Sequence, residues 1–305
     1  MPASPPQKLL PPKLQESDKA RIWRIGTSGW SYPPRSGSGS WTGVFYPLKK
    51  VDELEFYSRY FNAVEVNSTF YRPCTAKTAE GWVTRTPAEF EFTVKAWQQF
   101  THNREAILPA DIATFKEGIA PIAAAGRLGC LLFQFPASFH CDDATRDRLK
   151  ELLDRFAEYP KAIELRHRSW DDHADALDDS NAVRAFIDEP KFRDSTRQKL
   201  TSRGGILYVR FHGRQAQKWW HHEHRNERYD YLYSKEEIRK NADSLQSVAA
   251  AQPIQKAYTF FNNHPDAKAV VNAVMLRAEL GIPVLEPLPD SLMNAYPSLK
   301  EPGPR

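Results

Sequence analysis

Short apolar runs alternate with longer amphipathic stretches along this chain. The runs are IWRIGTSGW (22–30), AVEVNSTFY (63–71), EFTVKAWQ (91–98), LGCLLFQFP (128–136), KAIELRHRSW (161–170), AVRAFID (182–188), ILYVRFHGR (206–214) and KAYTFFNN (256–263). Their length and their β-branched and aromatic content predict eight strands. The stretches between them predict helices over 51–61, 111–125, 143–156 and 234–250. In the first, Leu54, Tyr57 and Phe61 recur at three-to-four spacing; in the last, Ser234 precedes acidic residues and suits an N-cap. Strand and helix in alternation imply parallel strands joined by crossovers, and eight repeats in about 250 residues is the size of a closed (β/α)8 barrel. The expected fold is therefore α/β, a single (β/α)8 TIM-barrel-like domain over residues 21–285. A doubly wound open sheet competes, but the first run lacks a GxGxxG turn entering a helix.

Residues 1–20 are rich in Pro, Ser, Lys and Gln and read as a disordered N-terminal tail, and 286–305 read as a C-terminal tail. SGSGS at 36–40 is a low-complexity insert after the first strand, expected to be mobile. Composition changes this picture little. The 305 residues are 41% hydrophobic, enough for a sizeable core, and the net charge of +4 is too slight to imply nucleic acid by itself. Cys74, Cys130 and Cys141 are odd in number and lack CxxC spacing, so neither a disulfide framework nor a thiolate cage is suggested and a reducing, cytoplasmic setting is expected. No run approaches the roughly 18 apolar residues of a membrane helix, so no membrane partner is expected.

In such a barrel the site lies at the C-terminal strand ends. There the second run offers Glu65, Asn67, Thr69 and Tyr71, the third Lys95 and Trp97, and the fourth Gln134. The fifth brings Glu164 and Arg166, the sixth ends at Asp188, the seventh supplies Arg210, His212 and Arg214, and the eighth Asn262 and Asn263. Ionised groups inside a barrel must pair with one another or with a ligand. A purely structural ion network accounts for any one of them, but their convergence over seven strands marks a binding site. Trp30, Tyr32, Phe70, Tyr71, Trp97, Trp170, Trp219 and Trp220 fall near the same ends, where aromatic rings either pack loops or stack on a sugar or base.

Taken in order, IGTSGWSY, WTGVFYP, FYSRYFNAVEVNSTFYRPC, FTVKAWQQFTH, LLFQFPASF, IELRHRSW, YVRFHGR and YTFFNNH resemble the signatures of the domain-of-unknown-function 72 (DUF72, YecE-like) family, from about Arg24 to Leu280. The resemblance implies a TIM-barrel-like fold and no established reaction. It also implies a shape similar to sugar-phosphate and abasic-site endonuclease barrels, an analogy of fold alone. The residues matching its pattern are Gly29, Trp30, Glu65, Asn67, Thr69, Tyr71, Lys95, Gln134, Glu164, Arg166, Trp170, Arg210, His212, Gly213, Arg214, Asn262 and Asn263. The SGSGS insert and the compressed, charged segment from Ala182 to Leu200 depart from it.

Three functional readings follow. In the first, an anionic phosphate- or sugar-containing ligand sits at the barrel mouth. Its catalytic group would be Glu65 or Glu164 as base with Lys95 or His212 as acid. Trp30, Asn67, Tyr71, Gln134, Arg166, Trp170, Arg210, Arg214, Asn262 and Asn263 would bind it, in a hydrolase, lyase or isomerase. In the second, the mouth and the basic, aromatic loop RQAQKWWHHEHRNERYDYLY bind nucleic acid without catalysis. In the third, His221, His222 and His224, with His212 and Glu223, hold a divalent metal; strand ends richer in Arg and Lys than in His and Asp argue against this, so no metal ligand and no cofactor is assigned. Neither a GxSxG elbow nor a GxxxxGK[ST] loop is present.

Overall fold

The structure, a computed structural model, describes residues 22–34, 39–177, 181–220 and 222–300. The N-terminal tail, positions 36–38 of the SGSGS insert, His221 and the last five residues lie outside the described residues.

The strands are β1 (Trp23–Thr27), β2 (Ala63–Val66), β3 (Glu91–Lys95), β4 (Leu128–Gln134), β5 (Lys161–Glu164), β6 (Ala182–Arg184), β7 (Phe186–Asp188), β8 (Ile206–Phe211) and β9 (Lys256–Phe261). The helices are α1 (Glu53–Ser58), α2 (Ala76–Thr84), α3 (Gln98–Thr101), α4 (Pro109–Ala124), α5 (Asp143–Arg155), α6 (Lys235–Ala251), α7 (Lys268–Glu279) and α8 (Asp290–Ala295). Every strand pairing is parallel, in two sheets ordered β2-β3-β4-β5-β6 and β1-β9-β8-β7. Together the sheets make the expected TIM-barrel-like domain, with two breaks in its hydrogen-bonded wall.

The first break falls in the predicted sixth strand. Its front half pairs with β5 and its back half with β8, and Ala185 is the pivot. The second lies between β1 and β2, which meet only at an isolated bridge from Ser28 to Glu65. Side chains replace the missing ladder there. Asn62 accepts from Ile25 N at 3.2 Å and donates to Trp23 O at 2.9 Å, while the Tyr57 hydroxyl accepts from Thr27 N at 2.8 Å and donates to Ala63 O at 3.2 Å. This seam brings Gly26 so close to β2 that a Cβ on it would stand 2.1 Å from Ala63 O and 2.6 Å from the Tyr57 hydroxyl. Gly26→Ala therefore destabilises the protein by about 2 kcal/mol, the scale of forced overpacking, as read from the midpoint of urea unfolding.

The predicted helices form within three residues of their expected bounds. Ser234 caps α6 by accepting from Glu237 N, and Glu237 reaches back to the Ser234 amide. Among the described residues no α-helix follows β5 or β7, a departure from the simple eightfold alternation. In place of a helix, Asp171 organises that side: it accepts from Arg184, from the Thr196 hydroxyl and from Arg197 N. Within residues 286–300, α8 packs Leu292 into the core, and Ser291 donates to Val44 O at 2.8 Å.

One apolar layer lies between the sheets and the helices. A second fills the barrel from inside, with Ala63, Cys130, Leu132, Ala162, Val183, Tyr208, Tyr258 and Phe260. At the N-terminal end, Glu91 closes the base by accepting from Arg24, Lys256 and the Tyr258 hydroxyl. Among the described residues no helix is long and apolar enough to cross a membrane.

Candidate functional site

Above the inner apolar layer, the barrel carries a buried ionic layer centred on Arg210. The period of two in β8 turns Tyr208, Arg210 and His212 inward. Glu65 reaches the same level from β2 and Glu164 from β5. Arg210 meets both acids: Nε and Nη2 donate to Glu65 at 2.9 and 2.7 Å, and Nη1 donates to Glu164. Glu65 also accepts from the Ser28 hydroxyl at 2.7 Å and from the Tyr208 hydroxyl at 2.8 Å. Arg166 donates through Nε to the other Glu164 oxygen at 2.6 Å, and its Nη1 lies 3.7 Å from Glu189. Burial works against the Glu164 carboxylate, but Arg210 and Arg166 outweigh it and hold its pKa well below the usual range. Glu65 is lowered in the same way, burial being overcome by Arg210 and by the Ser28 and Tyr208 hydroxyls. Both acids are therefore ionised and fully engaged. That arrangement opposes the expectation that either serves as a general base, since such a base needs a pKa near the working pH and an oxygen facing substrate.

His212 is fully buried and lines the floor of the mouth. Asn262 Nδ2 lies 3.0 Å from its Nδ1, and Arg210 and Arg166 flank its Nε2 at 3.3 and 3.4 Å. Burial first, and Arg210 second, push its pKa down to about 4. A lowered pKa disfavours the imidazolium form that a proton-donating acid uses. Glu189, just past β7, is raised by burial against the pull of Arg166.

Over this layer opens a cleft of about 860 Å³. Lys95, the last residue of β3, projects into it. Its ammonium donates to Gln134 Oε1 at 2.9 Å, lies 4.1 Å from the centre of the Phe70 ring, and makes no ion pair with a carboxylate among the described residues. Burial and the nearby Arg210 lower its pKa to about 7. Asn67, Asn226 and Asn262 offer amides, Arg166 and Arg228 offer guanidinium edges, and Trp30, Tyr32, Phe70, Tyr71, Trp219, Trp220 and Tyr229 form the walls. Tyr71 and Trp220 stand at the rim, 64% and 60% exposed.

The structure thus brings together at the cleft Trp30, Asn67, Tyr71, Lys95, Gln134, Arg166, Arg210, His212 and Asn262, with Glu65 and Glu164 beneath. It leaves three expected binding residues elsewhere, a correction with local causes. Gly213 takes φ 88°, which ends the alternation after His212. Arg214 consequently turns outward to Asp188 at 2.8 and 2.6 Å and to Glu237 at 2.9 Å. Asn263 is turned away by the same alternation, donating to Tyr231 O and to Asn272. Trp170 is buried in the core, stacked on Phe139 and donating to Phe139 O at 2.8 Å. Arg210 touches the cleft, but all three of its nitrogens serve the two acids. Of the aromatic residues expected near the mouth, Trp97 packs on Phe100.

Gln98, His102, Asn226, Arg228 and Tyr229 also line the cleft, and Glu189 stands beside Arg166, none of them indicated by the strand-end pattern. Only Arg228 and Tyr229 had a signal, the basic and aromatic character of their loop. Among the described residues no group of three or more His, Cys, Asp or Glu is placed to hold a metal ion. His222 is engaged with Lys218 O and Arg228, and His212 is at the barrel floor.

Comparison with other proteins agrees with this architecture. The chain is similar to UPF0759 protein YunF of Bacillus subtilis (strain 168), 28% identical over 288 residues that cover 85% of this chain and 94% of that protein. A crystal structure of a DUF72 family protein from Thermotoga maritima MSB8 shares 30% identity, with a TM-score of 0.74 over 85% of this chain and 99% of that one. Another, from Enterococcus faecalis V583, shares the fold at 22% identity, with a TM-score of 0.75 over 88% of this chain and 99% of that one. The family described as "Protein of unknown function DUF72" matches residues 24–293, and the chain belongs to it.

Proposed function

We propose that the barrel mouth binds a small anionic ligand bearing a sugar or comparable ring, with phosphate as the anion its chemistry fits. One observation carries the reading: Glu65 and Glu164 are consumed beneath the mouth by Arg210 and Arg166, while Lys95, Arg166 and Arg228 present cations, and Asn67, Asn226 and Asn262 amides, among aromatic walls. Guanidinium edges match phosphate oxygens, and ring faces match the apolar face of a sugar. Glu65 and Glu164 are not free to act as carboxylate bases, so their layer positions and polarises the mouth.

Titration with ribose 5-phosphate and with inorganic phosphate, followed by calorimetry and by the fluorescence of the cleft tryptophans, tests this. Saturable binding of both is expected, weakened about tenfold in Arg228→Ala by loss of one charge-assisted contact. Absence of saturable binding, or equal affinity in that variant, sinks the reading. Single-stranded DNA bound more tightly than either, with affinity falling steeply with salt, would transfer the site to nucleic acid.

A further inference from the structure

We infer that Lys95 forms an imine with the carbonyl carbon of a phosphorylated aldehyde or ketone held in this cleft. The inference deepens the anion-binding reading and rests on it, because the phosphate is what holds the carbonyl compound at the mouth. It gives Lys95 a catalytic role on a substrate of defined class.

The argument begins with the partners of the buried cations. Arg210 has Glu65 and Glu164, Arg166 has Glu164, and at the barrel base Arg24 has Glu91. Lys95 stands at the same level as the first two and has an amide oxygen and a ring face in place of a carboxylate. A lysine retained only for charge would be expected to pair. The groups acting on it are Arg210 from β8, Glu164 and Arg166 from β5 and the loop after it, and Glu65 from β2, while His102 follows α3 nearby; the two acids are tied to guanidiniums, and burial first and Lys95 second lower the pKa of His102. Burial first, and Arg210 second, lower the amine to about 7, which brings the neutral form within reach near neutral pH. A desolvated lysine beside other cations is an activated nucleophile.

The geometry suits attack. A neutral amine keeps its bond to Gln134 through one N–H and leaves its lone pair for the cleft. The lone pair forms the C–N bond while the carbonyl π pair moves to oxygen. The nitrogen then re-forms a double bond to carbon and the C–O bond breaks. Overall, ammonium and carbonyl give a protonated imine and one water, both hydrogens of the water coming from the ammonium. No oxidant or reductant enters. The product is again a cation at the position the Phe70 ring already favours.

The test is reductive trapping on the full-length protein. The protein is incubated with glyceraldehyde 3-phosphate, or with glyceraldehyde as the uncharged comparison, then treated with sodium cyanoborohydride and mapped by peptide mass spectrometry. The expected result is a single dominant adduct on Lys95, formed about tenfold faster than on the average surface lysine, with a pH profile rising through about 7. It should be stronger for the phosphorylated aldehyde and suppressed by inorganic phosphate. Lys95→Arg, which retains the cation, should abolish the adduct while still binding phosphate, and Lys95→Met should abolish it as well. Adducts spread evenly over the lysines, or a profile centred near that of an ordinary lysine, overturn the inference in the wild-type protein alone, whatever the variants do. Phosphate binding without Lys95 labelling refutes the imine and leaves the anion site standing. Lys95 labelling that is equal for both aldehydes and indifferent to phosphate refutes the anion site, and with it the substrate class inferred here.

Discussion

Replacing Arg210 by Met lowers the unfolding free energy by about 3–5 kcal/mol, the cost of stranding buried charge. Arg210 sits at 1% exposure between Glu65 and Glu164, both at 0%. Removing it leaves two ionised carboxylates with Arg166 as their remaining guanidinium, and Arg166 reaches only Glu164. Glu65 would keep the Ser28 and Tyr208 hydroxyls, which supply hydrogen bonds but no charge. Urea denaturation measures the loss. Arg210→Lys, which restores the charge without the fork that spans both acids, should fall between wild type and Arg210→Met. Adding Glu65→Gln to Arg210→Met should recover part of the loss, as expected of directly coupled partners. A loss below about 1 kcal/mol, the range of a surface pair, would show that the acids are not held as described.

Acid is the second strong perturbation. Burial pushes His212 and His264 down to about 4. In the unfolded chain the same imidazoles take up protons near their ordinary value of about 6.5. Between these values the folded protein binds fewer protons than the unfolded one, so stability falls as the pH drops from about 6.5 to 4. Each such proton contributes a slope of about 1.4 kcal/mol per pH unit. Glu189, raised by burial, works against this loss just above the ordinary carboxylate range. Glu65 and Glu164, both lowered, add their own loss only at pH values below that range. Lys95 acts in a separate window: its folded pKa of about 7 lies below its unfolded value, so its penalty is present below pH 7 and is relieved as the pH rises toward 10.5. Unfolding free energies at half-unit pH intervals should show a steep decline below 6.5, and His212→Gln should reduce that slope by close to one proton. A flat profile from 6.5 to 4.5 would contradict the neutral, buried state assigned to these imidazoles.

Much of this architecture is legible along the chain, and the reason is periodicity. Runs of β-branched and aromatic residues separated by helical spacing specify parallel strands and crossovers. A period of two, once one face is known to be internal, specifies which residues of ILYVRFHGR look inward as far as His212. The polar residues at successive strand ends could therefore be gathered into one site without any distances. Alternation holds only while a strand lasts. Gly213 ends it after β8 by backbone geometry, so Arg214 leaves the site, while after β9 the alternation that turns Asn262 inward turns Asn263 away. Trp170, placed at a strand end by its run, lies in a 3-10 turn whose side chain the core claims.

What tertiary structure alone decided was pairing. Sequence separation carries no information on which of Glu65 and Glu164 meets Arg210, because the answer depends on distances across the barrel; the structure makes the guanidinium serve both. That choice engages both acids, keeps His212 neutral between two guanidiniums, and leaves Lys95 without a carboxylate at a cleft walled by rings. The chain by itself determined the barrel and the strand-end residues from Trp30 to Asn262 at its mouth, but not the loop residues such as Asn226 and Tyr229 that complete it. Folding determined which of them hold one another and which face a ligand, because charge neutralisation in a low-dielectric interior is settled by distances of a few ångströms that no pattern along the chain records.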